Sequence, residues 1–134
     1  MAASITCSKK LFWVSKKLSM RQKKDPNIFL QHILECIDRI DNNITDTTKN
    51  AFLTDQDAQD VIVRRLEIIG EAVRNLPHDF RNKHPNIPWR KIAGFRDILI
   101  HEYFDVDIDL VWKIVTQDVP KLKKQIVSLL KNNI

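Results

Sequence analysis

From Asp25 onward, apolar residues recur at three- and four-residue spacing almost without interruption, the period of packed amphipathic helices. Phe29/Leu30, Ile33/Leu34, Ile37 and Ile40 mark a first helix. It opens at Asp25-Pro26, an N-cap followed by a first-turn proline, and is expected to end near Ile40, where Asp41-Asn42-Asn43 reads as a break. A short helix is expected over 47–53, capped by Thr45 or Asp46. The longest run covers 55–76, with Ala58, Val61/Ile62, Leu66, Ile69, Ala72/Val73 and Leu76 inward, and Pro77 ends it. The proline-rich stretch 77–88 reads as a loop with one helical turn. Pro88 starts a helix over 89–103, and Asp105-Val106-Asp107 is a linker. Ile108, Val111/Trp112 and Val115 predict a short helix, and Asp118 with Pro120 starts a last one burying Leu122, Ile126 and Leu129/Leu130. Five main helices with short connections predict an all-α antiparallel bundle.

Composition narrows the function. A chain of 134 residues, 43% apolar and 29% charged, is one globular domain rather than a disordered segment. Two glycines exclude a glycine-rich nucleotide-binding fold. Two cysteines, Cys7 and Cys36, cannot build a disulfide framework or a four-cysteine zinc site. His32, His78 and His84 have no second ligand at metal spacing and read as surface or loop histidines, so neither a metal nor a cofactor is expected. No run approaches the roughly 20 apolar residues of a membrane span, so the chain is expected to be cytoplasmic, with no membrane partner. Of the 22 basic residues, seven fall in 1–24, where there is no acid; the remaining fifteen face all 17 acids, a net of −2. The basic pI near 9.3 therefore belongs to the N-terminal end. Residues 1–20 are read as a basic extension, non-native or disordered, ahead of a helical domain over 21–134. The competing reading is a basic amphipathic element for a membrane surface, RNA or a partner.

Chemistry concentrates in Arg96-Asp97-Ile98-Leu99-Ile100-His101-Glu102-Tyr103. At about 100° per residue, Arg96 and Tyr103 lie on nearly one line of a helix, and Asp97 and His101 on another. Asp97 can then reach the imidazole and fix its tautomer. Arg96 and His101 do not share a face. To act on one phosphate they need a loosened helix end or a second copy across a two-fold axis. Gly94 is expected to permit close backbone approach there. A guanidinium that grips a phosphate and an imidazole that moves protons suffice for RNA cleavage by an attacking 2′-OH. A charge cluster locking the helix ends is the alternative, and spacing leaves both open.

This segment resembles the Arg-x4-His signature of the HEPN superfamily, and with Tyr103 the Arg-x4-His-x-Tyr form of HepT-like toxins from bacterial and archaeal toxin–antitoxin pairs. Arg64-Arg65-Leu66-Glu67-Ile68-Ile69-Gly70-Glu71-Ala72 resembles the family's long central helix, and Asp109-Leu110-Val111-Trp112 followed by Val119-Pro120 its C-terminal segment. The resemblance covers roughly residues 21–132. It implies a dimerising helical bundle that brings two Arg96–His101 pairs into one cleft, the site of a metal-independent endoribonuclease. His101 would be the base or acid, Arg96 would bind the phosphate, and Asp97 would orient them. Tyr103 would be the hydroxyl to which a cognate nucleotidyltransferase antitoxin adds AMP. RNA, as tRNA or mRNA, is the implied substrate, approached through Arg96 and neighbours such as Arg90 and Lys91.

Glu67 and Glu71 with Arg64, Arg65 and Arg74 read as helix-face pairs worth a few tenths of a kcal/mol each, with Arg65 and Glu71 as possible cleft neighbours. Cys36 reads as a small core residue, and Trp89 and Trp112 as core anchors. Two other functions stand beside the ribonuclease. One is a partner-dependent protein modified at Tyr103. The other is a non-catalytic nucleotide- or partner-binding helical module, in which Arg96→Ala would cost several kcal/mol by leaving a buried charge unpaired.

Overall fold

The computed structural model describes residues 25–101 and 107–132. The 20/21 boundary, the basic segment 1–24, and Glu102 and Tyr103 lie outside the described residues.

Helix α1, Pro26–Ile44, opens as the sequence predicts: Asp25 accepts a hydrogen bond from the Asn27 amide at 3.0 Å, and Pro26 occupies the first turn. It runs past the expected break at Asp41-Asn42-Asn43. There the polar side chains bond back to their own helix: Asn43 Nδ2 donates to the Arg39 carbonyl at 2.7 Å, and the Thr45 hydroxyl to that of Asp41. Helix α2, Lys49–Thr54, is capped by Thr48, which accepts from the Ala51 amide at 3.1 Å, and not by Thr45 or Asp46. The buried Gln59 amide closes the other end of α2, donating to the carbonyls of Phe52 at 3.0 Å and Leu53 at 3.1 Å.

Helix α3, Gln56–Asn75, starts where Asp55 accepts from the Ala58 amide at 3.1 Å and stops before Pro77. The expected single turn beyond it is a complete short helix, α4, His78–Lys83. Phe80 of α4 sits between the rings of His84 and Trp89, with centroids at 4.7 and 6.2 Å. The buried Trp89 donates its indole N–H to the His84 carbonyl at 3.0 Å and so opens α5, Trp89–His101, as a core anchor. Asp107 caps α6, Ile108–Lys113, accepting from the Asp109 amide at 3.0 Å.

The two helices predicted around Asp118 are joined. Ile114–Asp118 forms a π turn that carries α6 into α7, Val119–Asn132. A proline inside a helix has no N–H and its ring strikes the carbonyl four residues back, here Thr116. The wider π turn covers that carbonyl, which is how the helix continues through Pro120.

Every element described is helical, and the long helices form an antiparallel bundle. Helix α3 lies between α1 and α5, and α7 covers the far side of α1. Leu30, Ile33, Ile37, Ile62, Val73 and Leu99 make the shared core, closed by Val111, Val115 and Ile126. Trp112 packs against Phe52 with the rings tilted and their centroids 5.2 Å apart. Cys36 is buried, which pushes its thiol up against the opposing pull of Arg65. Lys123 pins α7 to α1 through Asp38 at 3.1 Å and Asp41 at 3.6 Å. No helix among the described residues is long and apolar enough to cross a membrane.

Candidate active site

The site begins with a glycine, though not the one singled out in the sequence. A Cβ on Gly70 of α3 would collide with Cβ of Arg96 on α5, and would sit 3.1 Å from Arg96 Cγ and 3.3 Å from the Ile92 carbonyl. A Cβ on Gly94 would meet nothing within 4 Å. The close approach of the two helices is therefore at Gly70, and Gly94 faces open space. Helix faces set this difference: Gly70 is buried on the α5 side of α3, whereas Gly94 lies on the exposed side of α5.

This contact brings Arg96 onto α3. Its Nε is ion-paired with Glu71 at 3.0 Å, and its Nη1 donates to Asp97 at 3.0 Å. Asp97 also accepts from Arg74 Nη1 at 3.2 Å, so Glu71, Arg96, Asp97 and Arg74 form a chain of alternating charge. The two carboxylates engage Nε and Nη1, and Nη2 keeps its donors for another acceptor such as a phosphate oxygen. The Arg96 side chain is 23% exposed, while those of Glu71, Asp97 and Arg74 are about half exposed. Pairs this wet contribute about 0–1 kcal/mol each. They orient Arg96 far more than they stabilise the bundle.

The expected Asp97–His101 bond is not formed. Asp97 binds two guanidinium groups instead, in charge-assisted bonds. His101, the last residue of α5, is exposed and has no hydrogen bond or ion pair among the described residues. Helix α5 remains regular from Arg96 to His101, which sets the two side chains about 140° apart. Tyr103 lies outside the described residues.

Arg96 forms one wall of a groove of about 270 Å³ between α1, α3 and α5. Glu71 lines it, as the sequence suggested for a cleft neighbour. Arg65 does not: it turns toward the Cys36 thiol, and the arginine in the groove is Arg64, paired with Glu67 at 3.2 Å. Phe29 and Ile100 supply apolar lining, and His32 and Asn75 supply polar groups. Sequence reasoning placed none of these four here. The signal was the antiparallel order of α1 and α3, which sets the start of one beside the end of the other. Among the described residues no three His, Cys, Asp or Glu side chains are grouped so as to hold a metal ion.

The family model described as "Ribonuclease HepT-like" matches residues 33–129, and the chain belongs to that family. This places it with ribonucleases in general terms. It is 45% identical over 104 residues to a "Putative RNase" of Methanocaldococcus jannaschii, covering 78% of this chain and 95% of that one. It is 43% identical over 109 residues to the "Probable ribonuclease HepT" of Thermococcus cleftensis, covering 81% and 99%. A further M. jannaschii relative, "Gamma-glutamylcyclotransferase and putative RNase", is 48% identical over 109 residues, 81% of this chain; the chain spans about half of that relative's length. No solved structure matches the chain significantly.

Proposed function

We propose that the chain is the toxin of a type II toxin–antitoxin pair, a metal-independent endoribonuclease of the cytoplasm. It cuts tRNA or mRNA at a cleft shared by two copies. A cognate nucleotidyltransferase antitoxin silences it by adding AMP to Tyr103.

One observation carries this reading: Arg96 is held by Glu71 and Asp97 with donors to spare, while His101, about 140° around the same helix, has no partner among the described residues. One copy cannot turn both groups on a single phosphate. A two-fold axis that sets the partner's His101 over Arg96 of the first copy lets the second copy supply what the first lacks. In the cleft Arg96 grips the non-bridging phosphate oxygens, and His101 transfers a proton as the 2′-OH attacks phosphorus. Asp97 acts through Arg96.

The alternative of a non-catalytic module with a structural charge cluster needs a buried Arg96 network. Arg96 is 23% exposed and its carboxylate partners about half exposed, which supports the catalytic reading over that one.

The test is cleavage of RNA by the purified protein in EDTA, wild type beside His101→Ala, with product ends analysed. Cleavage to 2′,3′-cyclic phosphates that is lost in the variant is expected. A folded, unmodified dimer that leaves RNA intact would move the function to the binding-module reading.

A further inference from the structure

We propose that His32 is the second proton-transfer group of this site, a catalytic imidazole facing the Arg96-bound phosphate from across the groove. The proposal rests on the ribonuclease reading and goes beyond the Arg96–His101 pair.

Cleavage by an attacking 2′-OH needs two proton carriers. As the 2′-O–P bond forms, a base removes the 2′-OH proton. As the P–5′-O bond breaks, an acid protonates the departing 5′ oxygen. The products are a 2′,3′-cyclic phosphate and a 5′-OH, and the two carriers end with exchanged protonation, which water resets. Within one copy, His101 is on a different side of α5 from Arg96 and does not line the groove. Of the chain's four histidines, only His32 does. His84 is packed against the Phe80 ring, and exposed His78 opens α4, away from the groove.

His32 is exposed on α1 and makes no hydrogen bond or ion pair among the described residues. Both ring nitrogens are therefore available to substrate. The charged groups facing it are Arg64, Glu67 and Glu71 from α3 and Arg96 from α5. Each carboxylate is already bonded, Glu67 to Arg64 and Glu71 to Arg96, so neither holds His32 in an ion pair. A phosphate on Arg96 Nη2 would sit in the groove that His32 also lines, with His101 of the second copy as the other proton carrier. One imidazole removes a proton and the other delivers one.

The test is single-turnover cleavage of a short oligoribonucleotide in EDTA across pH, for wild type, His32→Ala, His32→Gln and His101→Ala, with His78→Ala as control. Wild type is expected to give a bell-shaped profile. Both His32 variants should fall about 10²–10³-fold in kcat, with RNA affinity retained and one limb of the bell lost. Loss of the alkaline limb makes His32 the acid, and loss of the acidic limb makes it the base. His78→Ala should match wild type. Gel filtration and thermal melting confirm that each variant folds. Full activity and an intact bell in His32→Ala, with His101→Ala dead, would overturn the role of His32 and leave the ribonuclease reading standing. No cleavage by folded wild type would overturn both.

Discussion

The two sides of α5 differ in what stands against them. The inner side is crowded: Leu99 is fully buried, and Arg96 is pressed onto Gly70 and tied to Glu71. The outer side is bare: Gly94, Ile98 and His101 share a stripe at four- and three-residue spacing, and all three are exposed. A cation that must hold one direction is secured by tertiary contacts. The His101 imidazole has no partner among the described residues. Fixed and free groups thus sit within six residues of each other because a helix turns a different face every residue.

The sharpest way to break this contrast is at its free end. His101→Ala is expected to cut RNA cleavage by at least about 100-fold while leaving the melting temperature unchanged, because nothing described is bonded to that ring. A large loss of stability would show that the ring has a structural job.

The two glycines set the second comparison. Gly70→Ala gains about 1 kcal/mol of helix propensity but forces a Cβ onto the backbone-fixed Cβ of Arg96, an overpacking cost of about 1–3 kcal/mol. Urea unfolding should show a net loss together with falling activity. Gly94→Ala meets open space and should stabilise the folded chain by about 0.5–1 kcal/mol. If both alanines shift stability in the same direction, the inner and outer assignments fail.

Glu71→Gln probes the anchor alone. Stability should change by no more than about 1 kcal/mol, since Glu71 itself is half exposed. Meanwhile kcat/KM should drop about tenfold, as a less tightly held guanidinium presents Nη2 less often.

The smallest effect is expected at Lys123, on the opposite side of α1. Asp38 beside it raises the Lys123 ammonium above its ordinary value. A raised lysine contributes stability below the ordinary lysine range and loses it as pH climbs through the raised folded value. Lys123→Met should therefore lower the melting temperature slightly at neutral pH and not at strongly alkaline pH. Cleavage should be unaffected at either.

Local chemistry was readable from the sequence. The apolar period placed α1, α3 and α5, and Asp25 and Asp55 cap their helices because a short carboxylate beside its own first turn needs no distant partner. The burial of Cys36 and Trp89 followed from the same period. Errors came where a residue had more than one partner in reach. Asp41-Asn42-Asn43 joined the helix instead of ending it, Thr48 displaced two equally suitable caps, and Pro120 was absorbed by a π turn.

The site divides in the same way. The sequence alone determined that an arginine and a histidine stand five residues apart on a helix and face different directions, because helical geometry is local. Only the tertiary structure decided that Gly70 and not Gly94 is the contact glycine, that Asp97 serves arginines and not His101, and that His32 and Arg64 enter the groove while Arg65 does not. Those outcomes depend on the register between helices. Register is set by how whole side chains interlock across 8–10 Å between axes, a sum over many contacts that no short stretch of sequence contains.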